Sequence, residues 1–488
     1  MKSLKLTVVL LWCLSVFAQA QQIPLLDEPS LPRFQSTLVI PQAMTPARQE
    51  VSFRGSFPAE IQDSFQLALE TMLADLDSKG LSAAVIASNG DEWLGAAGVS
   101  HEGVPMTTDM YLGMGSVSKS LTAACILKLE EEGLLSTDDT LSQYLGSYPN
   151  VDSSVTLLQL LNHTTGIYDY VKNPVMLDSM KKDFSRVWTP DEVLNDFVKT
   201  PYFEKGQGWA YSNSNYLLLG LVIEKVTGQA YHEVIRQKIL EPAGLGALFL
   251  NPYETTTGTI AHVWLPFNGS KLDLDAFGLT PISVYSAAWA AGGYFARTEV
   301  MAKWMQALLS GQILSEASLT KMKTTVPAGD IEYGLGLMKI SNDTLEAYGH
   351  QGYIIYSSLC FYDPTTELTI AVQSNDGTST DLSAFLGKAY LLYRDLVETK
   401  SVATVAGKSY PNPATETLTI ELPESLGAQY ELGAADMLGH RLTPKIMSRE
   451  SNRLELDVRD WAGGIYFIRL WDGARNVVYR VSVTGSMR

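Results

Sequence analysis

Cysteine is nearly absent. The 488-residue chain has three, too few for the disulfide framework on which small secreted folds depend. Positive charge is scarce too, with 36 Lys and Arg against 53 Asp and Glu for a net charge of −17. Such a balance lacks the basic footprint that phosphate backbones and anionic membranes require, and nucleic acid is excluded as a partner. Charged residues make up only 18% and hydrophobic ones 46%. The chain can fill a sizeable core, and disorder, collagen-like repetition and coiled coil are excluded. His-Glu-x-x-His, Cys-x-x-Cys and Gly-x-Ser-x-Gly are all missing, which removes zinc peptidases and α/β-hydrolases. Asp273-Leu-Asp275 lacks the remaining ligands of a calcium loop, and no glycine-rich phosphate loop occurs. The sequence implies no cofactor and no metal. It also has no internal repeat and no low-complexity run.

The apolar run at 6–18 is too short to be a permanent membrane span. It follows Lys2 and Lys5 and ends in Ala18-Gln19-Ala20, the small-x-small close of a signal peptide. Residues 1–20 are therefore expected to be removed, taking Cys13 with them. Trp12, bulky where a small residue is expected, argues against lipid attachment at that cysteine. The expected mature chain is exported, has no transmembrane anchor and carries −19 once Lys2 and Lys5 are lost. Cys125 and Cys360 lie 235 positions apart and read as separate core thiols, although export would permit a bridge.

From Val405 onward, ten Lys and Arg balance ten Asp and Glu, so the whole acidic excess falls on 21–404. That break marks a domain boundary near 400. Residues 21–55 hold Pro24, Pro29, Pro32, Pro41 and Pro46 and read as an extended lead-in. Helical spacing is expected at 65–76, at 117–132 up to Gly133, and at 216–226, 231–239, 300–309 and 382–396. Strands are expected at 81–88 and 92–96 around an Asn89-Gly90 turn, and at 344–348, 353–362 and 368–374. Strands at both ends with helices between suggest one sheet built from distant segments, an α/β or α+β domain over 56–398. After a linker at 399–407, strand-like runs at 418–422, 454–458, 465–470 and 477–483 predict a small all-β domain over 408–488.

The chemistry centres on Ser116-Val-Ser-Lys119. On a helix opening at the serine, the lysine lies one turn on and on the same face. A helix start favours a developing oxyanion, and a neighbouring lysine can hold the proton that a lone serine does not lose near neutral pH. The S-x-x-K pattern also occurs at Ser179/Lys182 and Ser318/Lys321. Only Ser116 follows the glycine-broken Tyr111-Leu-Gly-Met-Gly115 and opens the most apolar helix. Tyr211-Ser-Asn213 and His350-Gln-Gly352 follow in order, the latter just before an expected strand.

With these residues in place, the sequence resembles the serine β-lactamase and penicillin-binding-protein superfamily. It is most similar to the branch of class C β-lactamases, D-alanyl-D-alanine carboxypeptidases, D-aminopeptidases and related esterases. Leu160-Leu-Asn-His-Thr-Thr-Gly166, Ala290-Ala-Gly-Gly293 and Tyr333-Gly-Leu-Gly336 add to the resemblance. It implies an antiparallel sheet with helices, a catalytic Ser116, Lys119 easing removal of its proton, and Tyr211 as proton shuttle. It also implies that Asn213 binds substrate amide or Lys119, and that the backbone N–H groups of Ser116 and Tyr353 form the oxyanion hole beside Gly352. His350 stands where β-lactamases usually carry lysine, and Gln351 replaces a hydroxyl, which favours an esterase or peptidase over a dedicated β-lactamase. His163 reads as a structural brace beside the site. A retired penicillin-binding fold used for ligand capture or adhesion is the alternative.

Tyr410-Pro-Asn-Pro413, Asp436-Met-Leu-Gly-His-Arg441 and Trp461-Ala-Gly-Gly-Ile-Tyr-Phe-Ile-Arg469 resemble the type IX secretion sorting domain of Bacteroidetes. This resemblance implies a small β-sandwich, the type IX machinery as partner, and a secreted or cell-surface destination. A carbohydrate-binding or fibronectin-like module is the competing reading. The expected function is an exported serine hydrolase acting on a small-molecule or peptide amide or ester.

Overall fold

The computed structural model describes residues 56–484, apart from 257, 268–269, 342–344, 379–380, 402–407, 423–429, 437–440, 451 and 472–475. The expected signal peptide, the lead-in, most of the linker and part of the 436–441 segment lie outside these residues. The chain divides into two compact units between Tyr390 and Leu391.

The first unit is built on α1 (Ala59–Asp75), β1 (Gly80–Ile86), β2 (Glu92–His101), α2 (Lys119–Glu131), α3 (Pro174–Lys182), α4 (Asn213–Thr227), α5 (Ile282–Gly292), α6 (Thr298–Leu309), β3 (Glu346–Ile354), β4 (Tyr356–Asp363) and β5 (Leu368–Ser374). Asn89-Gly90 makes the expected turn between β1 and β2, with Gly90 at φ 84°. Nine strands form one antiparallel sheet in the order Val104–Pro105, β2, β1, β5, β4, β3, Met338–Ser341, Ile331–Tyr333 and Val326–Ala328. Its centre pairs the first strand of the unit with the last, Leu81 opposite Ser374. The α+β expectation of a sheet closed from distant segments is what this pairing produces. Strands β1, β4 and β5 are buried along their whole length, which is why they read as continuous apolar runs instead of alternating ones. α6 packs across β1, β4 and β5, while α2, α4 and α5 pack on one another.

Two local expectations change. The run at 353–362 is not one strand: Ile355, at φ 62°, turns the chain sharply between β3 and β4, and Ile354 pairs with Tyr356. The turn carries no Gly, Pro or Asn to announce it. The third motif accordingly lies inside β3 and not ahead of a strand. Similarly, Ser116 does not open the α-helix. Gly115–Ser118 form a single 3-10 turn and α2 begins at Lys119. Cys125 and Cys360 are buried and unbridged.

The second unit holds two four-stranded antiparallel sheets. Ser409–Tyr410, Thr417–Glu421, Arg453–Asp457 and Lys445–Glu450 form one; Arg441–Leu442, Glu431–Asp436, Gly464–Trp471 and Asn476–Val483 form the other. Leu418 and Ile420, Leu454 and Leu456, Ile468 and Leu470, and Val481 and Val483 supply one common core. Each pair is spaced by two, as one face of a strand requires. Lys445–Glu450 was not legible because it is a solvent-facing edge strand, and Glu431–Asp436 because Gly433, Ala434 and Ala435 favour strands weakly.

Candidate active site

Side chains three apart eclipse in a 3-10 turn, and the turn at 115–118 brings Lys119 back over Ser116. The lysine is fully buried. Its Nζ donates to Ser116 Oγ at 3.0 Å, Asn213 Oδ1 at 2.6 Å and the Ala291 carbonyl at 2.7 Å. The last acceptor exists because α5 is broken at Trp289, whose φ of 37° and ψ of −119° are not helical. Beyond the break, the Ala290 carbonyl accepts from Thr122 and that of Ala291 from Lys119. Tyr211 places its ring centroid 4.8 Å from Nζ.

The Tyr211-Ser-Asn213 segment is held by the chain that follows His163. His163 Nδ1 accepts the Ser212 backbone N–H at 3.2 Å, and Asp169 Oδ1 accepts that of Asn213 at 3.1 Å. The Tyr170 N–H bonds Ser214 Oγ, and Thr165 Oγ1 donates to Asn215 Oδ1. The first two of these bonds occupy backbone donors at the open N-terminal end of α4 that have no partner within the helix. Asp169 also accepts from Asn213 Nδ2 at 3.2 and 3.3 Å. A carboxylate can only accept, so it turns the Asn213 amide nitrogen toward itself and the amide oxygen toward Lys119.

The turn at 115–118 lies against β3. A Cβ on Gly352 would stand 2.1 Å from the Met114 carbonyl and 2.8 Å from the Ser116 nitrogen. One on Gly115, at φ +50°, would stand 2.5 Å from the Tyr353 nitrogen. Only glycine permits both approaches, which bring the backbone nitrogens of Ser116 and Tyr353 beside the same crossing. Ser116 and Asn213 line a small cleft together with Tyr353, Ile354 and residues of α3 and α5. His350 stands apart from it. The ring is 1% exposed, its Nε2 meets the Tyr333 hydroxyl at 2.9 Å and its Nδ1 meets the Gln351 carbonyl. Both ring nitrogens are thus engaged inside the protein.

Residues 65–393 match the family model described as Beta-lactamase. The chain belongs to the beta-lactamase family. Among sequences similar to this family member is PbpX of Bacillus subtilis (strain 168), a penicillin-binding protein by name, 33% identical over 231 residues. That match covers 47% of this chain and 53% of PbpX, so the chain spans about half the length of this relative. Among solved structures, a D-stereospecific amidohydrolase from Streptomyces sp. aligns with a TM-score of 0.61 at 29% identity, over 67% of this chain and 98% of that one. D-amino acid amidase from Ochrobactrum anthropi SV3 shares the fold, with a TM-score of 0.62 at 22% identity over 69% and 99%. Residues 408–484 match a secretion system C-terminal sorting domain. No helix among the described residues is long and apolar enough to cross a membrane.

In this beta-lactamase-family domain the two histidines near the site are held neutral. Burial, then the Lys119 charge, pushes His350 down to about 3, against a weaker opposing hydrogen bond to the Gln351 carbonyl. Burial first, then Lys119 and His350, keeps His163 well below the usual imidazole range. The unfolded chain takes up these protons near pH 6.5 and the folded one does not until lower pH. Stability is therefore complete above about 6.5 and falls with acidification, by up to about 1.4 kcal/mol per pH unit for each histidine. Thermal unfolding of the full chain at pH 7, 6, 5 and 4 should show a falling midpoint, and His350→Gln should flatten that slope. An unchanged slope in the variant would mean that His350 is protonated in the fold.

Sequence reasoning missed Asp169 and the Ala291 carbonyl. Asp169 follows Gly166 by three residues, at the end of the Leu160–Gly166 motif. Ala291 belongs to the Ala290-Ala-Gly-Gly293 motif, which had been noticed without a role. Among the described residues, His262, Asp273 and Asp275 bring metal-capable atoms within 4.8 Å of one another. Their carboxylates already accept from the Val263 and Ala276 N–H groups, and His262 Nδ1 lies 2.9 Å from Asp273. These bonds hold the 262–280 segment together.

Proposed function

We propose that the domain is an exported serine hydrolase that opens an amide or ester bond through an acyl-enzyme on Ser116, of esterase or D-amino-acid peptidase type. The observation that carries this reading is the fully buried Lys119 ammonium, 3.0 Å from Ser116 Oγ and beneath the Tyr211 ring. In the proposed cycle, Ser116 Oγ bonds to the substrate carbonyl carbon as its proton passes to the oxygen of Tyr211, which acts in its phenolate form beside the Lys119 ammonium. The Ser116 and Tyr353 N–H groups receive the carbonyl oxygen while its charge grows. Tyr211 returns the proton to the departing amine or alkoxide, and water then releases the acyl group by the same steps in reverse. The relatives' names, which include a D-stereospecific amidohydrolase, are compatible with this chemistry. Treating the full chain with a fluorophosphonate and mapping the adduct by peptide mass spectrometry tests it. An adduct on Ser116 is expected, and none there would sink the acyl-enzyme.

The sorting domain supports passage through the type IX machinery to the cell surface or the medium. Deletion of 405–488 should leave the purified enzyme's ester turnover within about twofold and trap the protein in the periplasm of its native host. A truncated chain that still reaches the surface removes the sorting role, and loss of polysaccharide binding would assign a carbohydrate module instead.

A further inference from the structure

Away from Ser116 and Asn213, the cleft is walled mostly by apolar side chains. Val284 and Ala288 lie one helical turn apart on α5, and Met180 of α3, Tyr170 and Ile354 complete the wall. Met180, Val284 and Ile354 are buried, whereas Ala288 and Tyr353 are partly exposed and form the entrance. Ala288 also stands close to the turn at 115–118. A Cβ on Gly292 would lie 3.4 Å from Ala288 Cβ and 3.5 Å from the Gly115 carbonyl carbon. No residue lining the cleft carries a charged side chain. Lys119 is directed to its three internal acceptors, and both His350 nitrogens are bonded within the protein. A carboxylate at the Met180 end of the cleft would leave water with no cation among the lining residues to pair with it, and burying an unpaired charge is strongly unfavourable.

We infer that this cleft selects uncharged substrates: an amide or ester whose group next to the scissile carbonyl is apolar and passes Ala288 toward Met180. Substrates with a carboxylate at that place are rejected. The inference rests on the acyl-enzyme reading and narrows it away from carboxypeptidase action.

The test uses nitrophenyl esters of matched length, the pentanoate against the hemisuccinate, on the full chain. A preference in kcat/KM for the pentanoate of roughly 30-fold or more is expected. Equal rates, or a preference for the hemisuccinate, would overturn the inference. Ala288→Arg should supply the missing cation and shrink the preference by about tenfold. Ala288→Leu, a milder change, should lower the pentanoate-to-acetate ratio of kcat/KM about tenfold. If it leaves that ratio unchanged, the acyl group does not enter past Ala288 and the inference falls. Fluorophosphonate labelling run alongside separates the two failures. Labelling without ester preference removes only the specificity, whereas no labelling removes the acyl-enzyme itself.

Discussion

Ser116→Ala is expected to abolish covalent labelling and to lower turnover on the order of 10⁴-fold or more, the scale on which nucleophile deletions act. The two other S-x-x-K serines give the internal control. Ser179 bonds the Val175 carbonyl of its own helix, and Lys321, the partner of Ser318, is directed to Glu130 at 2.9 Å instead of to its serine. Neither pair has a buried ammonium against a hydroxyl. Neither serine belongs to the site, and Ser179→Ala and Ser318→Ala should therefore keep labelling and turnover within about twofold. Labelling and steady-state ester hydrolysis measured on the three variants decide the matter, and substantial activity in Ser116→Ala would show the motif assignment to be wrong.

Asp169→Ala should cost about 100-fold in kcat/KM and roughly 3 kcal/mol in stability, because it strands two buried donors of Asn213 at once. Asp169→Asn separates the rate effect from the stability effect. The new amide keeps an acceptor for the Asn213 backbone, so most of the folding loss should be recovered. It also brings a second NH₂ group against Asn213 Nδ2 and thereby favours reversal of that amide. Reversal would aim Nδ2 at the Lys119 ammonium, where only an acceptor fits. The Asn variant should then fold nearly as well as the parent, with kcat depressed about as much as in Asp169→Ala and KM little changed. Thermal melts and a kcat against KM comparison read the two effects independently. A fully active Asp169→Asn would remove the positioning role and leave Asp169 as a folding residue.

The pairing of Ser116 with Lys119 was legible because their spacing is local. Ser116 and Lys119 are three apart in one turn, and an apolar helix follows. The hairpin at Asn89-Gly90 and the central strands were legible for the same reason, a short pattern with a turn signal. What escaped the sequence depends on distant partners or on backbone atoms. Asp169 is one carboxylate among many in an acidic chain, and nothing in its neighbourhood announces that residue 213 will lie against it. The Ala291 carbonyl has no side-chain signature at all, and its use depends on the non-helical Trp289. The turn at Ile355 was hidden because a β-branched residue occupies a conformation usually left to Gly or Asn. His350 occupies a place where lysine is usual, and an ordinary imidazole there would be a weak cation. Burial beside Lys119 makes it neutral, which no reading of its chain neighbours could supply.

The long spans of the Lys119 contacts bear on how the molecule acquires reactivity. Two of its acceptors are 94 and 172 positions away along the chain, and the Tyr353 nitrogen beside Ser116 comes from later still. Closing loops of that length costs conformational entropy before any contact repays it. An emerging or partly collapsed chain therefore carries Ser116 as an ordinary hydroxyl, with no cation over it and no second N–H beside it. In the proposed cycle reactivity waits on these long-range closures, so a chain that has not yet folded stays chemically silent toward its surroundings.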